Sequence, residues 1–541
     1  MAAILSAAEK ATAAGDDLAT VKTRLVALIA PNEAAAHSQV QKAAGLLKTQ
    51  KDDGSWPDID YKNANRANWL ASSHVSRLNE MARGYYASRL LGQPDSQLHA
   101  GIVKGLDAWF TRDPKNPNWW HNQIGVPQTM ASIFLLLGPD AVPAQKPKAV
   151  EILKRATWEK WTGQNLVWGV NIQIARGCLE ESAATVAAGF ERFYREIRIG
   201  IQPQEGVMAD WSFHQHGNVI YSGGYGEGFS SDCARLVYCA SGTRFEAPAE
   251  KLRILCNYVL DGQQWMVRGS NWDFGVVGRE FTRKNKNARG LVFPAQLLAK
   301  LATPRQEEFK AFAARLEGQP GATPLSGNRH YWCSDFMVHH RPAFYASARM
   351  YSTRNDNTDS LTNDENKRSH FIADGAFCLM QSGAEYAGIY PVWDWQKIPG
   401  ITCEQREQMP EPAKCRTKGQ TAFAGGVSDG TYGVAALDFK RESLAARKAW
   451  FFFDDAVVCL GAGIACQSER PVATCVNQCL LKGAARSSVE QSSGSPGELA
   501  TRPTSWAWHD RVGYAFLGAP ANARLACGPQ KGRWSDIGVG S

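Results

Sequence analysis

Glu317-Gly-Gln-Pro-Gly-Ala-Thr-Pro-Leu-Ser-Gly-Asn328 separates two textures in this chain. Its glycines and prolines interrupt both helix and strand, so a domain boundary is expected there, with residues 1–320 before it and 329–541 after it. Upstream, apolar residues recur at helical spacing. Leu18, Val21, Leu25, Leu28 and Ile29 make one face; Val75, Leu78, Met81, Ala82, Tyr85 and Tyr86 make another, running on to Leu90 and Leu91. Further periodic stretches lie near Met130–Leu137, Ala149–Trp158, Val186–Ile197, Leu252–Val267 and Leu291–Leu301. Each such helix must bury one face. The separators are rich in Gly, Pro and Asn, as in Asp113-Pro-Lys-Asn-Pro-Asn118. Successive helices joined by short turns predict a bundle or a toroid of helical hairpins. Downstream, Tyr331–Val338, Phe344–Met350, Ala376–Gln381, Ala449–Cys459 and Gly513–Leu517 are short, aromatic or β-branched, and bounded by turn residues. They predict antiparallel sheet. Ser487–Ser495 reads as a polar loop tip. The fold class is therefore α+β and multidomain, helices first and antiparallel sheet second.

Length supports two or more domains, because 541 residues exceed what one core serves. A formal charge of +8 is modest and suits a polyanionic partner, though many proteins carry as much without one. Eighteen tryptophans are many for this length; Trp supplies ring-stacking surface as well as core mass. The thirteen cysteines are scattered, with no CxxC pair, and Cys475 and Cys479 lack a histidine cluster, so free thiols are expected and a zinc site is not. No apolar run is long enough to cross a membrane. The opening MAAILSAAEKATAAGDD lacks a basic region and a long apolar core, so no signal peptide is visible.

The densest chemistry lies in Asp210-Trp-Ser-Phe-His-Gln-His-Gly-Asn-Val-Ile-Tyr-Ser-Gly-Gly-Tyr-Gly226. This composition disfavours helix and predicts a shaped loop. His216 and Tyr225 are candidate proton-transfer groups, since each can donate and accept. A structural loop satisfied by backbone is the plain alternative. Asn116-Pro-Asn-Trp-Trp-His-Asn-Gln-Ile-Gly-Val-Pro127 carries Trp119 and Trp120, which cannot both face one helix core, so at least one lines a cleft or both fill a hairpin corner. Asn165, in Trp161-Thr-Gly-Gln-Asn-Leu166, is a functional amide or merely an N-cap. Arg279 and Arg283 would share a face if their segment is helical, and guanidinium forks suit carboxylate or sulfate; a solvated basic face is the alternative. Glu365 is a carboxylate that could orient an Arg or Tyr, or belong to a polar turn. No nucleic-acid motif accompanies these charges, and no phosphate-binding loop, GxSxG motif or dinucleotide fingerprint is present.

Taken in order, Asn118-Trp-Trp with Ile124-Gly and Pro127, Thr162-Gly with Asn165, the nine-residue step from His216 to Tyr225, Arg279 with Arg283, Asn363 with Glu365-Asn366, and Trp393-Asp-Trp with Ile398-Pro-Gly and Thr402 resemble polysaccharide lyase family 8. That family includes chondroitin AC, hyaluronate and xanthan lyases. The resemblance spans nearly the whole chain and implies an incomplete α/α toroid followed by antiparallel β-sandwich or sheet domains. It implies that Asn165, His216, Tyr225, Arg279 and Glu365 are catalytic, and that Trp119, Trp120, Arg283, Asn118 and Gln123 bind substrate. It also implies an acidic polysaccharide as partner, a monomer, export to a secreted or periplasmic location, and no membrane, nucleic acid, metal or cofactor. Two departures stand out. Gln164 occupies a position where relatives usually carry Ala, and the chain ends at Gly532-Arg-Trp-Ser-Asp-Ile-Gly-Val-Gly-Ser541, so the family's C-terminal remainder is expected to be missing.

The implied reaction removes the C5 proton of a uronate and expels the oxygen on C4, leaving a 4,5-unsaturated end. Asn165, assisted by His216, would stabilise the enolate-like charge. Tyr225, drawn toward phenolate by Arg279, would shuttle the proton, with His216 as the competing base. Two rival readings are a toroidal glycoside hydrolase using Asp210 and Glu227 as paired carboxylates, and a non-catalytic carbohydrate-binding protein.

Overall fold

The structure is a computed structural model that describes residues 16–301, 303–360, 362–488, 497–518 and 521–538. The opening segment read for a leader lies largely outside these residues, as does most of the expected Ser487–Ser495 loop tip.

Helices Asp17–Ile29, Glu33–Lys48, Ser72–Leu90, Ser96–Arg112, Val126–Leu137, Lys146–Leu153, Gly163–Glu180, Ala183–Glu196, Tyr225–Ala240, Ala249–Asn257, Val292–Leu298 and Gln306–Glu317 build the first domain. Successive helices pair as hairpins, Gly163–Glu180 on Ala183–Glu196 through a two-residue turn and Glu33–Lys48 on Ser72–Leu90 across a longer connection, residues 49–71. The expected faces point inward: Val21 and Leu25, then Val75, Leu78, Met81 and Ala82, are buried. Asp16, Asn32, Asp95 and Ser182 cap their helices through side-chain oxygens. The first helix returns to the middle of the domain, where Arg24 Nη1 donates to the carbonyls of Tyr238 and Cys239 at the C-terminal end of Tyr225–Ala240. Two periodic stretches are shorter as helix than their pattern. Leu252–Val267 passes from helix into a π turn at Tyr258–Gly262 and a 3₁₀ turn at Gln263–Met266, and Ala149–Trp158 ends its helix at Leu153.

Beyond Glu317 the chain is sheet. Gly327–Tyr331, Phe336–His340, Tyr345–Arg349 and Ala376–Met380 form one antiparallel sheet. Ala424–Ser428, Gly433–Arg441, Leu444–Phe452 and Val457–Ala465 form a second. The first sheet is a middle layer. Phe336, Val338, Tyr345, Cys378 and Met380 join the core shared with the helices, while Met337, Ala346, Ala348 and Phe377 pack against Leu437, Phe439, Trp450 and Phe452 of the second sheet. Period-two alternation sorts these residues between two apolar surfaces. One core thus runs from the helical domain into the β domain.

Two expected strands prove to be hairpins. Tyr331–Val338 spans a turn at Cys333-Ser334-Asp335, with Asp335 at φ 50°, and Ala449–Cys459 spans the turn at 453–456. In the first, the strand after the turn is buried on both faces and gives no alternation to mark the reversal; in the second, the polar pair Asp454-Asp455 marks the turn, and Val457–Ala465 beyond it is largely exposed. The Trp393–Thr402 motif is packing: Trp393 lies 5.1 Å from Phe274 and Trp395 5.3 Å from Phe281, across the seam between domains. All thirteen cysteines are free thiols. Among the described residues no helix is long and apolar enough to cross a membrane, and no group of three or more His, Cys, Asp or Glu could hold a metal ion.

Candidate active site

The Asp210–Gly226 stretch is a loop, as its composition predicts, braced by the short strands Gly206–Met208 and Phe213–His214. It delivers His216 and then ends by starting the helix Tyr225–Ala240. His216 has φ 58°, a left-handed conformation unfavourable for a residue with a Cβ, so its surroundings must over-determine it. Glu205 Oε1 accepts from the His216 N–H at 2.7 Å, and Arg416, from the β domain, donates to the His216 carbonyl at 2.6 Å. The following residue, Gly217 (φ 87°), lies so close to Arg416 that a Cβ would sit 2.8 Å from its Nη2.

Asn165 lies in the first turn of Gly163–Glu180 but is not its cap; Thr162 is, without a side-chain capping bond. Instead the buried Glu196 and Gln215 accept from the N–H groups of Gly163 (2.6 Å) and Gln164 (3.1 Å). Gly163 has φ 56°, and a Cβ there would meet Gln215 Oε1 at 2.4 Å. Glu205 ties this helix start to the histidine loop, accepting from Thr162 Oγ1 at 2.9 Å as well as from the His216 backbone. The unusual Gln164 has a structural reason: its buried amide donates to Asp232 Oδ2 at 2.7 Å, a carboxylate that also holds Arg235. The Asn165 amide nitrogen has no partner among the described residues, and the positive end of an 18-residue helix lies behind it.

Tyr225 packs between His216 (ring centroids 4.8 Å apart), Tyr221 (5.1 Å) and Trp168 (5.7 Å). Arg279 donates to the Tyr225 hydroxyl at 3.4 Å and lies over its ring. Arg279 and Arg283 do not share an α-helix face. They flank a 3₁₀ turn, Glu280–Thr282, and converge on one carboxylate. Glu365 accepts from Arg279 Nε at 2.6 Å and from Arg283 Nε at 2.8 Å. Burial alone would raise the Glu365 carboxyl; Arg283 and Arg279 outweigh it and hold it below its ordinary value. The solvated-face reading therefore fails for Arg279, which is buried, whereas Arg283 keeps 45% of its side chain exposed. Tyr225 departs from expectation. Burial pushes its hydroxyl up, and the lowering by Arg279 does not overcome that, so the resting group is a phenol.

Trp119 is 42% exposed and sits 5.2 Å from Trp161; Trp120 packs 5.6 Å from Trp168. Aromatic rings thus lead from solvent to Tyr225. Asn118 does not fit its expected substrate role. Its Nδ2 donates to Arg66 O (2.9 Å) and to Asn363 Oδ1 in the β domain (3.2 Å), and its Oδ1 accepts from Trp120 N–H (3.1 Å). A fully used amide positions the Trp pair instead. Gln123 accepts from Thr157 Oγ1 at 3.2 Å, and its amide nitrogen has no partner among the described residues.

The carboxylates nominated for hydrolysis are committed elsewhere. Asp210 accepts from Ser212 and from Cys333 N–H, and Glu227 from Trp272 Nε1 and Lys286 Nζ. Sequence reading missed Asp359, Glu205, Arg416, Trp161 and Trp168. Asp359 and Arg416 act across more than a hundred positions, which leaves no local pattern; Trp168, three residues after Asn165 on the same helix face, was within reach of a spacing argument.

Comparison with known proteins gives the family. A model of the polysaccharide lyase family 8 N-terminal α-helical domain matches residues 15–312, and one of the family's super-sandwich domain matches residues 326–541. Chondroitinase-AC of Pedobacter heparinus is 32% identical over 499 residues, covering 91% of this chain and 71% of that one. Xanthan lyase of Bacillus sp. is 27% identical, over 87% of this chain and 56% of that one. A chondroitinase AC lyase solved in oligosaccharide complexes superposes with a TM-score of 0.91 at 30% identity, covering 97% of this chain and 78% of that one. This chain belongs to polysaccharide lyase family 8.

Proposed function

We propose that this chain depolymerises a chondroitin- or hyaluronan-like uronate polymer by β-elimination at Asn165, His216, Tyr225 and Arg279. The observation that carries the reading is the pairing of uncommitted polar atoms, the Asn165 amide and the His216 Nε2, with a buried Arg279 locked by Glu365. The C5 proton is a weak acid beside a carboxylate, so the site must take up charge as that proton leaves. Asn165 donates to the carboxylate at a helix N-terminus, where such stabilisation is worth most. Tyr225 holds its proton at rest and gives it to the O4 leaving group, which makes His216 the acceptor at C5. The alternative, Tyr225 as its own base, draws support from the Arg279 contact at its hydroxyl. Trp119, Trp120 and Gln123 line the approach for sugar rings, and Arg283 offers an exposed guanidinium to an acidic substituent.

The chondroitinase relative at 32% identity, against 27% for xanthan lyase, supports the substrate class, and the net charge of +8 suits a polyanion. Export, a monomeric state, no nucleic-acid partner and the division into residues 1–320 and 329–541 complete the reading. Ultraviolet absorbance followed over time with chondroitin sulfates, hyaluronan, xanthan and alginate tests it, because only an unsaturated uronate absorbs. A rise with chondroitin or hyaluronan is expected. A rise with xanthan or alginate alone would overturn the substrate class, and new reducing ends without absorbance would overturn elimination.

A further inference from the structure

Asp359 lies in the β domain, within a polar stretch, Asn355-Asp-Asn-Thr-Asp-Ser-Leu-Thr-Asn-Asp-Glu-Asn366, that reads as turn. Of its four acidic side chains, Asp359 and Glu365 are buried at the Arg279 guanidinium. Asp359 has only 1% of its side chain exposed. Its Oδ2 meets two groups together: it accepts from Arg279 Nη1, and it lies 3.1 Å from His216 Nδ1. Arg279 Nη1 is itself 3.2 Å from that nitrogen.

Two neighbours compete for Nδ1: Asp359 Oδ2 can only accept and favours a proton there, whereas Arg279 Nη1 can only donate and favours its lone pair, but the shorter contact of Nη1 is with Oδ2. A carboxylate is acceptor-only, and so is an unprotonated ring nitrogen. Without a proton on Nδ1, two lone-pair atoms would face each other at 3.1 Å in a buried site. With it, Nδ1–H and Nη1–H both converge on Oδ2, an ordinary shared acceptor. Arg279 stays charged throughout. Burial would raise the Asp359 carboxyl, but the His216 contact and the Arg279 charge hold it down at about 2. Nε2, at the far side of a ring with 24% of its side chain exposed, has no partner among the described residues.

We infer that Asp359 is a positioning residue that pins the proton on Nδ1 of His216, so that Nε2 is the one ring atom that exchanges a proton with bound substrate. The inference rests on the elimination reading and adds a residue to it. In the neutral ring, Nε2 presents its lone pair to the cleft. When it takes the C5 proton, the imidazolium that forms is paired with Asp359, the C5 electron pair becomes the new double bond, and the O4 bond breaks with its oxygen protonated by Tyr225. Proton return from Nε2 to the Tyr225 phenolate resets both groups. The logic is that of the buried carboxylate behind the histidine of the Ser-His-Asp triad, where the amide variant cuts kcat by about 10⁴ through the wrong tautomer.

The test is nitrogen-15 NMR of histidine-labelled full-length protein, with the His216 signal assigned by its loss in His216→Gln. The Nδ1–H form is expected for neutral His216 in the wild type, and a shift toward the Nε2–H form in Asp359→Asn. In the same variant kcat should fall at least about 10²-fold with KM changed little. Tyr225→Phe should lose turnover while its His216 tautomer stays as in the wild type. A wild-type Nε2–H tautomer, or a tautomer and kcat unmoved by Asp359→Asn, would overturn the inference. If Asp359→Asn does not fold, the wild-type tautomer still decides. Absence of lyase activity in the wild type would sink the elimination reading alone, since the tautomer is measured without turnover.

Discussion

The two domains bring different things to the site. The helical domain supplies groups with free polar atoms: the Asn165 amide, the Nε2 of His216 and the Tyr225 hydroxyl, reached by a single contact from Arg279. The β domain supplies groups that are already engaged: Asp359 on His216 and Arg279, Glu365 on both arginines, and Arg416 on the His216 carbonyl. Chemistry comes from one side and orientation from the other. A core continuous across the seam keeps the halves in register. The docked sheet domain adds Arg416 to the Glu205 contact on the left-handed His216, and Asp359 and Glu365 to the buried Arg279.

Substitutions in each half should therefore fail differently. Tyr225→Phe should give the largest loss in rate, about 10³-fold or more in kcat, with polymer binding kept in equilibrium binding assays. Asn165→Ala should lower kcat by about 10²–10³ and leave the melting temperature near that of the wild type, since its amide has no partner among the described residues. Glu365→Gln should do the opposite. It leaves Arg279 beside a neutral amide with Asp359 still paired to it, so a loss on the order of 2 kcal/mol in denaturant unfolding is expected along with the loss of rate. A stability loss in Asn165→Ala equal to that in Glu365→Gln would erase the distinction between the halves.

Asp359 gives the comparison a pH signature. Its folded carboxyl, at about 2, lies below its unfolded value of 3.8. The stability it contributes is then fully present above about pH 4 and lost as pH falls toward 2, on the order of 2 kcal/mol. Thermal unfolding across that window should show a steeper acid decline for the wild type than for Asp359→Asn. Equal slopes would mean that Asp359 is not held as an ion by His216 and Arg279.

The difference between the halves also explains what the sequence disclosed. Asn165, His216, Tyr225, Arg279 and Glu365 could be nominated because the motifs that carry them stand in a recognisable order; the structure brings His216, Tyr225, Arg279 and Glu365 into contact, and Asn165 lies on the helix whose Trp168 packs on Tyr225. Asp359 could not be, because nothing local separates it from Asp356 or Asp364; which carboxylate turns inward is decided by a guanidinium 80 residues upstream. Asn118 misled for the same reason. Its place beside two tryptophans suggests sugar contact, but its partners, Arg66 and Asn363, lie far away in sequence. The strands read as continuous through Cys333–Asp335 failed where two buried faces removed the polar alternation that marks a turn.

The central claim is that bond breaking is elimination driven by the helical half. It is tested most directly by following ultraviolet absorbance during digestion of chondroitin sulfate by the wild type and by Tyr225→Phe, with polymer binding measured in parallel. The account predicts a steady rise for the wild type and none for the variant, with binding retained in both. A near-normal rise in Tyr225→Phe would contradict it.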